Sequence, residues 1–294
     1  MEDYRFTRVP KKLCVGDFVI SCSKQGIGPK ANIPFSGMAF YSPQETREFF
    51  KFKINQVEPN NKEKLLFGSD EFSIPTFLYQ NEIGEFDWIT KDHSGAVKLA
   101  FRISSDWKNF TLYEDHTNTL GERAFHQFGS LFSYAILNHN ACVFHGVVME
   151  YSGKGILVIA PSGTGKTTHT RLWRNYKNAL IINGDCCLCR KIDGKWYAYG
   201  MPWCGSSGEY INRRVPISYI VNLKRGNKNF VNQLSAFDAS IYLMQRVFAP
   251  FWAGQMQENA FLICEELGAT IPMLELHCLP NRESVDVLER AIWK

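Results

Sequence analysis

Residues 157–173, "LVIAPSGTGKTTHTRLW", have the residue types and the spacing that can hold a chain of phosphate groups. Positions 160–167 follow the phosphate-loop pattern G-x-x-x-x-G-K-[ST] except at the first position, where Ala160 stands in place of glycine. Small residues let successive backbone N–H groups converge on phosphate oxygens, and the N-terminus of the following helix attracts anions. The sequence therefore predicts a nucleotide-binding loop between a strand and a helix.

The side chains at the end of this loop predict how a nucleotide is held. Lys166 is expected to reach the β- and γ-phosphates, and the hydroxyl of Thr167 is expected to bind Mg²⁺. We therefore predict ATP and Mg²⁺ as cofactors, with GTP in place of ATP left open. The alternative is an ordinary Gly/Ser turn in which the lysine is a coincidence. The predicted cofactor-binding residues are Ser162, Gly163, Thr164, Gly165, Lys166, Thr167 and Thr168.

A carboxylate follows the next apolar strand. In "ALIINGDCCLC", Asp185 comes directly after a strongly apolar run, and no other acidic residue downstream of the loop has this position. Nucleoside triphosphatases that couple hydrolysis to work hold the water shell of Mg²⁺ with such a carboxylate. Asp185 and Thr167 are therefore the predicted metal-binding residues. The alternative is an aspartate that only shapes a Gly-Asp turn.

The elements that must position these groups change character along the chain. Up to residue 118 the pattern alternates with period two, as in "VKLAFRI" at 97–103, which predicts a β-rich N-terminal region. From residue 119 onward amphipathic helices and buried strands are interspersed, beginning with a helix at Leu120. We expect a β-rich part at 1–118 and a nucleotide-binding domain at 119–294. The predicted fold class is α/β with an α+β-like mixed sheet.

The strand that leads into the loop is itself preceded by a tight hairpin, "VFHGVVMEYSGKGILVIA". Ras-like and RecA-like folds would place a βαβ connection there. The arrangement resembles the P-loop catalytic domain of the HPr kinase/phosphorylase family, which shares its fold with the ATP-dependent phosphoenolpyruvate carboxykinases. In that group an "HG" strand, a Gly-containing turn, the loop and an acidic strand follow in this order. The matching segments here are 144–146, 152–155, 162–168 and 183–185.

The resemblance implies a kinase site whose catalytic residues are Asp185, His145 and Lys166. Asp185 would accept the proton of an incoming hydroxyl, and His145 would relay a proton or hydrogen-bond the transferring group. The family's acidic pair is here the single Asp185, and the arginine-glycine signature of the phosphorylase reaction is not recognisable. We therefore do not predict phosphorolysis. A core histidine with no chemical role remains the alternative for His145.

An arginine pair and a cysteine cluster are two further candidates for a function. Arg213 and Arg214 follow the Gly/Ser-rich stretch 205–208 and are candidates to clamp a transferring phosphate or an acidic substrate, with a solvated pair as the alternative. The stretch 205–208 is itself a candidate movable lid. "CCLC" at 186–189 alternates along a strand instead of following the C-x₂₋₄-C spacing of zinc sites, so buried thiols are favoured.

Net charge and the distribution of apolar residues indicate which kinds of partner to expect. The net charge is +4 without a basic stripe, which disfavours nucleic acid as a partner. The N-terminus lacks the apolar core of a signal peptide, and no run of about 18 apolar residues occurs, so a cytoplasmic protein without a membrane partner is expected. Assembly into a homo-oligomer is expected only by analogy with the hexameric family.

The sequence therefore predicts an ATP- and Mg-dependent phosphotransferase, a kinase acting on a hydroxyl. The acceptor would be a serine or threonine of a peptide or protein, or a small hydroxyl-bearing molecule. A carboxykinase is disfavoured, because its additional metal-binding and substrate-binding positions cannot be located. A nucleotide-binding sensor or scaffold with a partly decayed site remains the alternative, which the single acidic residue favours.

Overall fold

The computed structural model describes residues 6–8, 12–24, 32–34, 49–55, 64–69, 74–113 and 121–293. The chain divides into two compact units, Met1–Leu131 and Phe132–Lys294. This division falls within a helix. The boundary expected from the sequence, together with Leu120, lies outside the described residues.

The N-terminal unit is β-rich, and its eight-stranded mixed sheet has the order β2-β3-β5-β10-β9-β8-β7-β6, with β1 and β4 paired separately. The period-two prediction is confirmed for β9, where Leu99, Phe101 and Ile103 are buried. Aromatic rings from the sheet pack against Phe128 of the helix that follows it. The strands are β1 (Phe6–Arg8), β2 (Lys12–Val15), β3 (Phe18–Lys24), β4 (Asn32–Pro34), β5 (Phe50–Asn55), β6 (Lys64–Ser69), β7 (Thr76–Gln80), β8 (Phe86–Lys91), β9 (Val97–Ile103) and β10 (Asn109–Tyr113).

The C-terminal unit is a second mixed sheet with helices. Helix α1 (Gly121–Ala135) begins in the first unit and leads into the second. The remaining elements, apart from two short 3₁₀ turns, are β11 (Ala141–Tyr151), β12 (Lys154–Ile159), α2 (Lys166–Lys177), β13 (Leu180–Asn183), β14 (Cys186–Ile192), β15 (Lys195–Tyr199), β16 (Arg214–Arg225), β17 (Phe230–Gln233), α3 (Ala236–Met244), α4 (Gly254–Thr270), β18 (Met273–Cys278) and α5 (Arg282–Ile292).

Strand pairing explains how this sheet presents the loop. Strands β11 and β12 form the predicted hairpin, with Ser152 and Gly153 at positive φ in its turn. Strand β12 also pairs in parallel with β16, and β16 pairs in parallel with β18. Because parallel strands end at the same sheet edge, the residues after β12, β16 and β18 meet there. Residues 160–165 directly follow β12 and therefore lie at that edge.

Helix boundaries follow local capping signals where such signals exist. Ser235 caps α3 and Asn281 caps α5, because each side chain accepts a hydrogen bond from the backbone N–H three residues on. Helix α4 begins at Gly254 without a side-chain cap, since the preceding Ala253 makes no such hydrogen bond. Among the described residues, no helix is both long enough and apolar enough to cross a membrane.

Candidate functional site

The loop at 160–165 joins β12 to α2 in an open conformation. Gly163 has φ +74° and Gly165 has φ +118°, values that glycine adopts without strain. A Cβ added to either glycine would meet no atom within 4 Å, so free space surrounds the loop. The side chain of Ala160 is fully buried at the strand end, which is why a methyl group replaces the usual first glycine without closing the loop.

Four backbone donors of the loop and of the helix start have no competing acceptor among the described residues, whereas the N–H of Thr164 donates to the carbonyl of Pro161 at 3.3 Å. The N–H groups of Gly163, Gly165, Lys166 and Thr167 make no hydrogen bond within the part of the chain that the structure describes. The latter two belong to the first turn of α2, whose unpaired N–H groups carry the positive end of the helix dipole. Their neighbour His169 already donates to the carbonyl of Gly165. The arrangement can therefore receive an anion.

Lys166 is buried, with 8% of its surface exposed, and its ammonium is held close to the loop. Its Nζ donates to the carbonyl of Ala160 at 3.0 Å and lies 3.4 Å from that of Pro161. Burial lowers the pKa of Lys166, the negative charge of Asp185 raises it, and the charge of Arg246 lowers it further. A phosphate dianion near this ammonium would offset the cost of burying its charge.

His145 lies on β11, at the point where the backbone of this strand donates hydrogen bonds to two other segments of the chain. Its own N–H donates to the carbonyl of Arg246 at 2.9 Å, and the N–H of Gly146 donates to the carbonyl of Asp185 at 2.8 Å. A Cβ on Gly146 would come within 2.9 Å of the backbone oxygen of Val158, so only glycine permits this approach of β11 to β12. These backbone hydrogen bonds hold His145 beside Arg246 and Asp185.

The His145 ring bridges the ammonium and the carboxylate. Nε2 lies 3.1 Å from Nζ of Lys166, and Nδ1 lies 3.5 Å from Oδ1 of Asp185. Since an ammonium can only donate, Nε2 must accept, and the ring proton is then on Nδ1, facing the carboxylate. Burial lowers the pKa of His145, as does the charge of Lys166, while Asp185 raises it. The imidazole is therefore neutral near pH 7.

Asp185 is positioned by a buried amide. Oδ1 of Asn183 accepts from the backbone N–H groups of Asp185 and Cys186, both at 2.9 Å, which forms an Asx turn. The amide nitrogen of Asn183 donates to the carbonyls of Met201 and Trp203. Asn183 is fully buried, so it holds the turn rigidly and aims the carboxylate at His145.

The Gly/Ser-rich stretch at 205–208 lies against this turn. A Cβ on Gly205 would come within 2.6 Å of Oδ2 of Asp185, and one on Gly184 would come within 2.2 Å of Oγ of Ser207. These two glycines let the stretch pack directly on the carboxylate. Its opening and closing as a lid stays a prediction.

The oxygen ligands suit Mg²⁺ only together with a phosphate. The hydroxyl of Thr167 has no hydrogen-bond partner among the described residues, and Asp185 supplies a carboxylate beside His145. No group of three or more His, Cys, Asp or Glu side chains that could hold a metal ion occurs among the described residues. Mg²⁺ commonly takes one or two protein oxygens and completes its shell with water and substrate phosphate. The donor set fits that ion.

The structure does not bring Arg213 and Arg214 to the loop. Arg213 makes a bidentate ion pair with Glu150, with N···O distances of 2.6 and 2.9 Å. Glu150 is five residues beyond His145 on β11, a separation of roughly 17 Å along an extended strand. Arg214 begins β16 and lies over the ring of Tyr197. Both arginines are therefore at the opposite end of the strands from the loop.

Two other arginines lie at or near the loop, and no sequence pattern predicts either of them. Arg225 ends β16, where the parallel pairing with β12 brings it to the loop, and its guanidinium donates to the carbonyls of Gly163 and Thr164. Arg246 is close enough to Lys166 and His145 for its charge to lower the pKa of both. No local motif marks either residue, because strand register and a long-range backbone bond place them.

The cysteines after Asp185 alternate in the predicted way. Cys187 and Cys189 are fully buried on one face, with their sulfur atoms 3.7 Å apart, whereas Cys186 is half-buried beside Asp185. Burial raises the pKa of the Cys189 thiol well above its usual range, so the group is neutral and packs as an apolar side chain.

A cavity of about 400 Å³ lies next to the loop. Thr164, Gly165 and Thr168 form one wall, and the segments after β16 and β18, including Arg225 and Pro280, form the other. The sheet edge that carries the loop thus also offers room for a group attached to the phosphates.

Comparison with known proteins adds little. No family model and no curated protein matches the chain. Among solved structures, one match is described as "Structure of the Hpr(Ser) kinase/phosphatase from Coxiella burnetii", with 9% identity and a TM-score of 0.31. The match covers 51% of this chain and 87% of that chain. A TM-score of this size does not establish a shared fold, so the functional case depends on the site itself.

Proposed function

We propose that the C-terminal unit binds ATP with Mg²⁺ and transfers its γ-phosphoryl group to a hydroxyl of a peptide, protein or small molecule. The observation that carries this proposal is the chain of contacts from Lys166 through His145 to Asp185 beside a loop with unpaired N–H groups. It combines an anion site, a buried cation and an aligned carboxylate. Phosphoryl transfer requires little more than such positioning and charge neutralisation.

Nucleotide binding is supported by the loop. The four free N–H groups of the loop and of the first turn of α2 would donate to the β-phosphate. Lys166 would exchange its carbonyl contacts for oxygens of the γ-phosphate. Arg225 holds the carbonyls of the loop, which keeps the N–H groups directed into the open space. The cavity beside Thr168 lies within the size range of small-molecule sites, roughly 300 to 1,000 Å³, and would hold the nucleoside.

Transfer to an acceptor is supported by Asp185. Its carboxylate would accept the proton of the acceptor hydroxyl as the new O–P bond forms and the bond between the β- and γ-phosphates breaks, leaving ADP. The Nδ1–H of His145 would orient the carboxylate. Thr167 and Asp185 would hold Mg²⁺, which neutralises phosphate charge. Arg246, whose charge acts on both Lys166 and His145, would stabilise the transferring group.

A nucleotide sensor is the second candidate, and one observation favours it. Asp185 is the carboxylate that contacts His145, and the described residues hold no acidic cluster beside it. A site with one carboxylate must use it for both metal binding and proton acceptance. If it serves only the metal, the protein binds nucleotide and changes state without transfer.

Label transfer from γ-labelled ATP separates the two candidates. The full chain is incubated with ATP, Mg²⁺ and a library of serine-, threonine- and tyrosine-containing peptides. Label appearing on an acceptor with wild type but not with Lys166→Ala supports the kinase. Nucleotide binding with no label on any acceptor supports the sensor. Absence of nucleotide binding by wild type would contradict both.

A further inference from the structure

A second cavity, of about 670 Å³, lies entirely within the N-terminal unit. One wall is the hairpin of β8 and β9, including Lys91, His93 and Lys98. The other is the first half of α1, including Arg123 and His126. The proposed kinase chemistry uses none of these residues.

The helix turns a polar face to this cavity. Arg123, His126, Gln127 and Ser130 line it, and their spacing of three and four residues places them on one side of α1. The apolar side of the same turns is buried, as at Phe128. Packing of the helix uses its other face, so these polar residues face the cavity.

The charges that line the cavity are mostly positive. Lys91, Lys98 and Arg123 are cationic, and Asp92 is the carboxylate among the described lining residues. Asp92 is already satisfied, because its Oδ1 accepts from both the N–H and the hydroxyl of Ser94 and its Oδ2 pairs with Lys98 at 2.9 Å. Hydrogen bonds from Ser94 and Lys98 hold the pKa of Asp92 well below its usual range, so it stays charged and bonded to the turn.

Two of the three cationic side chains that line the cavity have no carboxylate partner among the described residues. Neither Lys91 nor Arg123 has a carboxylate partner in the part of the chain that the structure describes, and the ammonium of Lys91 lies 4.9 Å from the ring centroid of Phe77. They come from different elements, the hairpin and the helix. The imidazoles of His93 and His126 also line the cavity.

We propose that this cavity binds a small organic anion carrying two or more carboxylate or phosphate groups. Two cations from separate elements match a ligand with two charged ends, and charge-assisted hydrogen bonds supply its orientation. Buried Leu99 and Pro75 give the cavity an apolar floor for the carbon skeleton. The volume lies within the range of small-molecule sites, roughly 300 to 1,000 Å³.

Calorimetric titration of the full chain with citrate tests the proposal. We expect citrate to bind wild type, and to bind Lys91→Ala and Arg123→Ala each about tenfold more weakly, because each variant removes one charge-assisted contact. Lys108→Ala removes an exposed lysine of the same unit outside the cavity and should bind like wild type. Lys166→Ala should also bind like wild type, which separates this site from the phosphate loop.

The remaining outcomes are decisive. Repeating the titration with pyrophosphate in the Lys166→Ala background distinguishes phosphate from carboxylate ligands, and binding of either probe that depends on Lys91 and Arg123 supports the site. Failure of both probes to bind would overturn the proposal. An equal loss in Lys108→Ala would overturn it as non-specific attraction. A hexaglutamate peptide that binds while citrate and pyrophosphate do not would overturn it in favour of an acidic protein segment.

Discussion

Nζ of Lys166 lies 3.1 Å from Nε2 of His145, so the ammonium at the start of α2 donates to an imidazole on β11. The contact fixes the neutral tautomer of the ring and directs its Nδ1 proton toward Asp185. A helix residue, a strand residue and a turn residue thereby form one chain of polar contacts beside the loop.

Asp185→Asn is expected to keep nucleotide binding and to lose phosphoryl transfer. The amide cannot accept the acceptor's proton, so the transfer rate should fall by about 10²- to 10⁴-fold. Single-turnover transfer from labelled ATP measures the rate, and equilibrium binding measures the affinity. Asp193→Asn is the matched control, since Asp193 is exposed in a turn at φ +49°, which asparagine tolerates. Normal transfer by Asp185→Asn would remove this carboxylate from the mechanism.

Arg225→Lys is expected to weaken nucleotide binding about tenfold, because an ammonium cannot hold two carbonyls in the fork geometry of a guanidinium. The charge is conserved, so a loss of affinity reports the geometry of the loop. Fluorescence titration with a labelled ATP analogue measures it. Lys228→Ala, an exposed cation in the turn that follows, serves as control. Unchanged affinity in Arg225→Lys would show that the loop holds its conformation without this contact.

Gly163→Ala tests the left-handed backbone of the loop. The added methyl group meets no atom within 4 Å, so only the φ of +74° opposes it, at a cost of about 1 kcal/mol in free energy of unfolding. Gly254→Ala is the matched control, because that glycine also has open space but lies at the start of α4 without positive φ. Urea denaturation compares the two. Equal stability of the two variants would contradict the assigned backbone conformation.

The buried His169 side chain is expected to make the free energy of unfolding depend on pH. Burial lowers its pKa from 6.5 to about 4, and its Nε2 accepts from the indole N–H of Trp173 at 3.1 Å. The folded state therefore binds fewer protons than the unfolded state between these values. The neutral His169 side chain therefore contributes about 3 kcal/mol to the free energy of unfolding. This contribution is fully present above pH 6.5 and is lost as the pH falls toward 4.

Urea midpoints at pH 7 and pH 4.5 measure this effect. His169→Gln keeps an acceptor for Trp173 but cannot be protonated, so its stability should fall less than that of wild type over this range. Because His145 is present in both proteins, the difference between them isolates His169. The same pH dependence in both would show that His169 is not the group responsible.

The sequence predicts those parts of the site that local chemistry specifies. The loop, the hairpin before it and the turn at Asp185 follow from glycines, a lysine and an aspartate placed next to apolar runs. Arg225 and Arg246 could not be found in this way, because the parallel pairing of β12 with β16 and the bond from His145 N–H to the carbonyl of Arg246 place them. Arg213 looked available in the sequence because nothing local reveals its partner, Glu150.

The most direct test of the phosphate loop is the effect of ATP and Mg²⁺ on thermal stability. At 100 times the dissociation constant, ATP should stabilise wild type by about 2.7 kcal/mol. Lys195→Ala, an exposed lysine on β15, should be stabilised equally, whereas Lys166→Ala should show no stabilisation. The same stabilisation by ATP in Lys166→Ala as in wild type, or none in wild type, would contradict the account.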